Sequence, residues 1–112
     1  MIKIDIYKKQ GSFSRIVCDG HSGYGVSGED IVCSAVSSIV QTAALGLLTV
    51  AQANVKIIRD DDKGYFEIII PEKIFPDTEH DVQVILNTML CGLSDLREEY
   101  SDFIEMEVKN VY

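Results

Sequence analysis

His21 and Cys33 stand close together in the run GHSGYGVSGEDIVCSAVS, Gly20 to Ser37, with three glycines between them. A thiol is a strong nucleophile only as the thiolate, and a neighbouring imidazole or the positive end of a helix favours that form at neutral pH. The run predicts both for Cys33. Asp30 suits an N-cap and apolar periodicity begins at Ile31, so Cys33 is expected in the first helical turn, where unpaired N–H groups favour negative charge. His21 precedes a loop in which Gly23, Gly25 and Gly28 allow a sharp reversal, so that its imidazole could come within hydrogen-bond reach of the sulfur.

The chemistry such a pair performs is acyl transfer through a thioester. His21 takes the Cys33 proton or holds it as an ion pair, the thiolate attacks a scissile carbonyl, and the imidazolium then protonates the leaving amine. Backbone N–H groups of the first helical turn, including that of Cys33, are the expected oxyanion donors. The glycine loop, with Tyr24 in it, would cover a bound peptide. Ser37 follows Cys33 by four and shares its helical face; its hydroxyl could meet substrate backbone, but bonding the carbonyl one turn earlier is the simpler expectation. The candidate substrate-binding or loop residues are therefore Gly23, Tyr24, Gly25, Gly28, Asp30 and Ser37.

Other chemistries fit less well. Cys18, His21 and Cys33 could be three zinc ligands, but structural zinc wants four with paired spacing, and His80 sits at a helix start among acidic residues, where it is expected to be solvated. No metal and no cofactor is expected. No G-x-S-x-G elbow surrounds Ser22, Ser34, Ser37 or Ser38, which argues against a serine hydrolase. Cys18 reads as a small strand residue and Cys91 as a buried helix residue. A single cysteine and histidine are by themselves a weak signal, and a buried helix cysteine of no catalytic role is the commoner reading of such a pair.

Gly20-His21 followed by Gly28-Glu29-Asp30-Ile31-Val32-Cys33 resembles the ribosomal-processing cysteine protease (Prp) family of bacteria, whose members carry Gly-His near the end of an early strand and Gly-x-Asp-Ile-Val-Cys opening a helix. Thr88-Met89-Leu90, Leu93 and Glu99-Tyr100 resemble the family's second helix, so the likeness spans most of the chain. The resemblance implies a cysteine endopeptidase in which His21 and Cys33 match the catalytic pair, and a two-layer sheet and helix domain that dimerises. The implied substrate is the N-terminal extension of large-subunit ribosomal protein twenty-seven, cut within a short motif containing aromatic residues and glutamine. Ser22 and Ser34 stand where members usually have alanine. Both replacements are small, and they bear on local packing and substrate fit. The alternative from another class is a non-catalytic ribosome-assembly or binding module that uses the same groove without cleaving.

The elements that must position the pair follow from hydrophobic periodicity. Ile2, Ile4 and Ile6 alternate with Lys3, Asp5 and Tyr7 as in a half-buried strand. A break at Gln10-Gly11 leads to a second strand from about Ser12 to Asp19, which predicts a hairpin. Val55 to Arg59 and Tyr65 to Ile70 are two more β-rich runs, separated by an Asp61-Asp62-Lys63-Gly64 turn and closed by Pro71. Phe103 to Val108 alternates again, with Ile104, Met106 and Val108 on one face. In the first helix, pairs such as Ile31-Val32, Ala35-Val36 and Ile39-Val40 recur every four residues, so the apolar stripe rotates by about 40° per step. Such a helix must lie on a sheet and also touch another helix, in this chain or a partner, and Ala43, Ala44 and Gly46 would let that backbone come close. The second helix, from about Thr78 to Tyr100, carries Val82, Ile85, Leu86, Met89, Leu90, Leu93 and Leu96 as a core-facing stripe. Long helices separated by hairpins predict an α+β fold, a two-layer sandwich with a mostly antiparallel sheet and both helices packed on it.

Composition fits a single domain, 1–112: the chain has 112 residues and 46% hydrophobic content, enough for one core. Polar residues interrupt the most hydrophobic region, Ile31 to Val50, so no membrane span is expected. The amino-terminal residues alternate charged and apolar, unlike a signal peptide, and three irregularly placed cysteines form no disulfide framework. Both point to a cytoplasmic protein. Eighteen acidic residues against ten Lys and Arg leave a net charge of −8, which disfavours direct nucleic-acid binding. The same charge agrees with a basic peptide extension of a ribosomal protein precursor as partner, although solubility alone explains it. The rotating stripe of the first helix predicts a homodimer.

Overall fold

The computed structural model describes residues 1–20 and 27–112, with side chains described for 1–20 and 31–112. Strand β1, Ile2–Lys9, turns through Gln10-Gly11 into β2, Ser12–Asp19. Both turn residues have positive φ, 53° and 80°, the combination that lets a two-residue turn match the twist of the strands it joins. Helix α1 runs over Ser27–Leu45 and continues as a π-helical turn, Gly46–Val50, in which the Ala51 N–H donates to the Gly46 carbonyl at 2.9 Å. A second hairpin, β3 (Lys56–Asp60) and β4 (Tyr65–Ile69), precedes α2 (Pro76–Glu99) and the last strand, β5 (Ile104–Val111).

The five strands form one sheet in the order β3-β4-β2-β1-β5. Every pairing is antiparallel except β1 with β5, which is parallel. The expectation of antiparallel pairing came from short turns, and no short turn joins β1 to β5, since β5 returns from α2. Register puts Ile4 between Cys18 and Met106, and Ile16 between Ile6 and Ile68, so alternate residues of neighbouring strands form one apolar face. Val32, Val36, Val40, Ala44 and Leu47 of the first helical segment and Val82, Leu86, Met89 and Leu93 of α2 close over that face. The architecture is the α+β two-layer sandwich, with two long helices on a mostly antiparallel sheet. On the other face Arg15 meets Glu67 at 2.5 Å and the Tyr65 hydroxyl donates to Glu67 at 2.5 Å, tying β2 to β4.

Three expectations are corrected. Cys91 is exposed, because it lies about 200° around α2 from Met89, opposite the buried stripe. Ile31–Val50, with a mean hydropathy of 1.9, does meet the length and composition of a membrane span; in this fold its Val32, Val36, Val40 and Leu47 are core against the sheet. Helix α1 begins at Ser27 and not after Asp30. The second backbone that α1 was expected to meet is α2 of the same chain. A Cβ added at Gly92 would stand 3.4 Å from Ile39, and one at Gly46 would stand 3.7 Å from Ile85, both within contact range.

Candidate active site

Cys33 is partly buried on the cavity-facing side of α1. The cavity is about 280 Å³ and opens between α1, the carboxyl end of β2 and the tip of the β3–β4 hairpin. Its α1 wall carries Cys33, Ser37 and Gln41, with Val36 and Val40 deeper; Cys18 and Gly20 come from β2 and the residue that follows it, and Phe66 from β4. Arg59, Asp61 and Gly64 form the hairpin rim, where the Arg59 Nε donates to Asp61 Oδ1 at 2.6 Å. The Gly20 N–H donates to the Gly64 carbonyl at 3.2 Å, which fastens the end of β2 to that rim. The fold thus brings Cys33 and Ser37 into one cavity with Gly20, the residue before His21.

His21, Gly23, Tyr24 and Gly25 lie outside the described residues. Gly28 and Asp30 fall within α1, so neither is a loop residue and Asp30 is not the N-cap. Cys33 is then the seventh residue of the helix, past the first turn. Its N–H is taken by the intrahelical ladder to the carbonyl four residues back, which removes it from the set of free oxyanion donors. The field of the helix end falls off within that first turn, so Cys33 lies beyond the helix-end position expected for it.

Ser37 also departs from the simpler expectation. Thr49 and Thr88 return their hydroxyls to the carbonyls of Leu45 and Val84, at 2.6 and 2.8 Å, but among the described residues Ser37 makes no such bond. Cys18 shares the cavity lining yet is chemically unlike Cys33. It is only 7% exposed, and burial, with a smaller contribution from the charge of Asp5, pushes its thiol up to about 12. At pH 7 it is a neutral core thiol.

Gln41, Arg59, Asp61 and Phe66 were not anticipated as cavity residues. Gln41 was legible, since it continues the Cys33, Ser37 row by a further four residues. The other three reach the cavity only because β4 pairs with both β2 and β3, and no local pattern announces that pairing.

A family model for cysteine protease Prp matches residues 1–105. The ribosomal processing cysteine protease Prp of Staphylococcus aureus (strain Mu50) is 32% identical over 111 residues, which cover 97% of this chain and all of that protein. Among solved structures, the essential ribosomal processing protease Prp of S. aureus in complex with a substrate peptide superposes with a TM-score of 0.87 at 29% identity, covering 97% of this chain and 100% of that one. The same protein with a covalently linked product peptide gives 0.83 at 30% identity, with the same coverage. That protein holds its product peptide covalently, as a protease does and a binding module without catalysis does not. Matched along nearly its whole length and sharing the fold, the chain belongs to the cysteine protease Prp family.

Proposed function

We propose that this protease removes the N-terminal extension of large-subunit ribosomal protein twenty-seven through a His21/Cys33 dyad. The observation that carries the reading is the cavity that Cys33 and Gly20 line together. His21 is bonded directly to Gly20, so the only histidine near Cys33 in the sequence starts within about 4 Å of a residue on that cavity. Cys91 is on the outer face of α2 and Cys18 is held neutral, which leaves Cys33 as the thiol fit to attack.

In this reading His21 accepts the Cys33 proton and the thiolate adds to the scissile carbonyl. The imidazolium then protonates the departing amine, and water admitted by the same base releases the acid from the thioester. Val36 and Val40 give the cavity an apolar depth, and Ser37, whose hydroxyl is unengaged among the described residues, is available to the peptide backbone. The net charge of −8 favours encounter with a basic precursor. The free state of all three cysteines agrees with a cytoplasmic location.

The decisive experiment is mass measurement on the ribosomal precursor incubated with this protein and with Cys33→Ala. Shortening of the precursor by the parental protein alone supports the reading. Shortening by both variants, or by neither, overturns it.

Thiol labelling gives an independent check. Iodoacetamide at pH 7 is expected to modify Cys33 and Cys91 but not Cys18, whose labelling should require unfolding or strongly alkaline pH. His21→Ala should slow only the Cys33 reaction. Equal rates at Cys33 with and without His21, followed by peptide mass mapping, would count against the dyad.

We further propose that the protein is a homodimer joined through its helix layer. Ile31, Leu45, Leu48 and Val84 leave apolar surface on α1, its π-helical extension and α2 that this chain does not cover, at exposures of 65, 60, 41 and 51%. Light scattering at micromolar concentration should return twice the chain mass. A monomer mass unchanged on dilution would remove the proposal.

A further inference from the structure

The cavity wall of α1 is a polar row. Cys33, Ser37 and Gln41 succeed one another at four-residue steps and all three line the same cavity. At 1.5 Å of rise per residue, Gln41 stands about 12 Å along the helix axis from Cys33. It is half-buried, and among the described residues its amide has no hydrogen-bond partner. Gln83 on α2, also half-buried, has one: its amide donates to Glu79 at 2.9 Å. Across the cavity, Arg59 and Asp61 are engaged with each other at 2.6 Å. An amide that no protein group engages is open to a ligand that supplies an acceptor and a donor together. An extended peptide backbone does so at every residue and advances about 3.3 Å each time, so about 12 Å spans three to four residues.

On the reading of Cys33 as the nucleophile, we infer that Gln41 is a specificity-determining residue that holds the substrate backbone three to four residues from the scissile bond. Its amide N–H donates to one peptide carbonyl and its amide oxygen accepts from one peptide N–H. Val36, Val40 and Phe66 give the intervening side chains an apolar floor. The enzyme therefore measures peptide length on the side of the scissile bond that lies along α1.

The test compares parental enzyme, Gln41→Leu and Gln41→Glu on peptides from the precursor. One peptide extends roughly six residues to each side of the cut, about 20 Å each way. The others are trimmed on one side or the other so that they stop short of Gln41. On the long peptide, Gln41→Leu should lose roughly tenfold in kcat/KM, chiefly through KM, and Gln41→Glu less, because it keeps an acceptor of the same length. One trimmed peptide should be cut about tenfold less well by the parental enzyme, and on it Gln41→Leu should cost nothing further. Thermal unfolding of each variant controls for folding, and if Gln41→Leu does not fold, Gln41→Glu carries the comparison. Parental kcat/KM on the long peptide, or equal losses on long and trimmed peptides, would overturn the inference and leave the nucleophile assignment intact. Cleavage by Cys33→Ala would instead overturn the assignment on which it rests.

Discussion

Cys33→Ser is expected to bind the ribosomal precursor with near-parental affinity and to cleave it at least about 10⁴-fold more slowly, the scale seen when a protease loses its nucleophile. The two effects separate because the exchange leaves the cavity walls unchanged. Val36, Val40, Ser37 and Gln41 keep their places on α1, and replacing sulfur by oxygen removes a few tenths of an ångström of radius and no hydrogen-bond donor. What changes is acidity: a hydroxyl beside an imidazole is far harder to deprotonate than a thiol, and in this helix the thiol sits past the first turn, where the helix end gives little help. Calorimetric titration with the precursor peptide and turnover by mass spectrometry on the same preparation would measure both. Parental turnover by Cys33→Ser would mean that another group attacks, and the dyad would fall with it.

The second large effect is expected at Gly20. Its φ is +152°, and a Cβ there would lie 2.5 Å from the Met1 carbonyl oxygen and 2.7 Å from the Ile2 Cα. Both obstacles are main chain, so no side chain can swing aside. Ile2 is itself held by its N–H to the Phe103 carbonyl at 2.8 Å, and Gly20 by its N–H to Gly64 at 3.2 Å. Gly20→Ala must therefore separate the end of β2 from β1 or from the β3–β4 rim, at a cost of about 3 kcal/mol, a large share of a typical domain's stability. Activity should fall further than stability, since Gly20 lines the cavity and is bonded to His21, the base of the proposed dyad. Gly11→Ala is the internal control. Its φ is +80°, yet nothing lies within 4 Å of the added Cβ, so only the backbone preference is lost, roughly 1 kcal/mol. Urea unfolding and peptide turnover on the two variants would compare them. If both lose the same stability, the main-chain clash at Gly20 is not what the residue prevents.

Much of this protein is written in local patterns. The period-two alternation of Ile2, Ile4 and Ile6, the Gln10-Gly11 break and the four-residue steps of both helices depend only on neighbours in the chain, and they were enough for the element order and the two-layer sandwich. The run from Gly20 to Cys33 was enough for the family. The start of α1 was misjudged because Asp30 is a good cap residue and Gly28 a poor helix former, preferences of a fraction of a kcal/mol that the rest of the fold overrides. Cys91 was misassigned by residue type when its helical phase already pointed outward. Other features needed the tertiary structure. β5 lies parallel to β1 because α2 carries the chain back across the sheet, and no short-range signal encodes a contact between residues a hundred positions apart. The same holds for the cavity: Cys33 and Ser37 share a helical face by periodicity alone, but Gly20, Phe66, Arg59 and Asp61 join them only through the pairing of β2, β4 and β3. The sequence singled out Cys33 as the candidate thiol, and the sheet decided what surrounds it, because side-chain type is a property of one residue and a cavity is a property of strands brought into register.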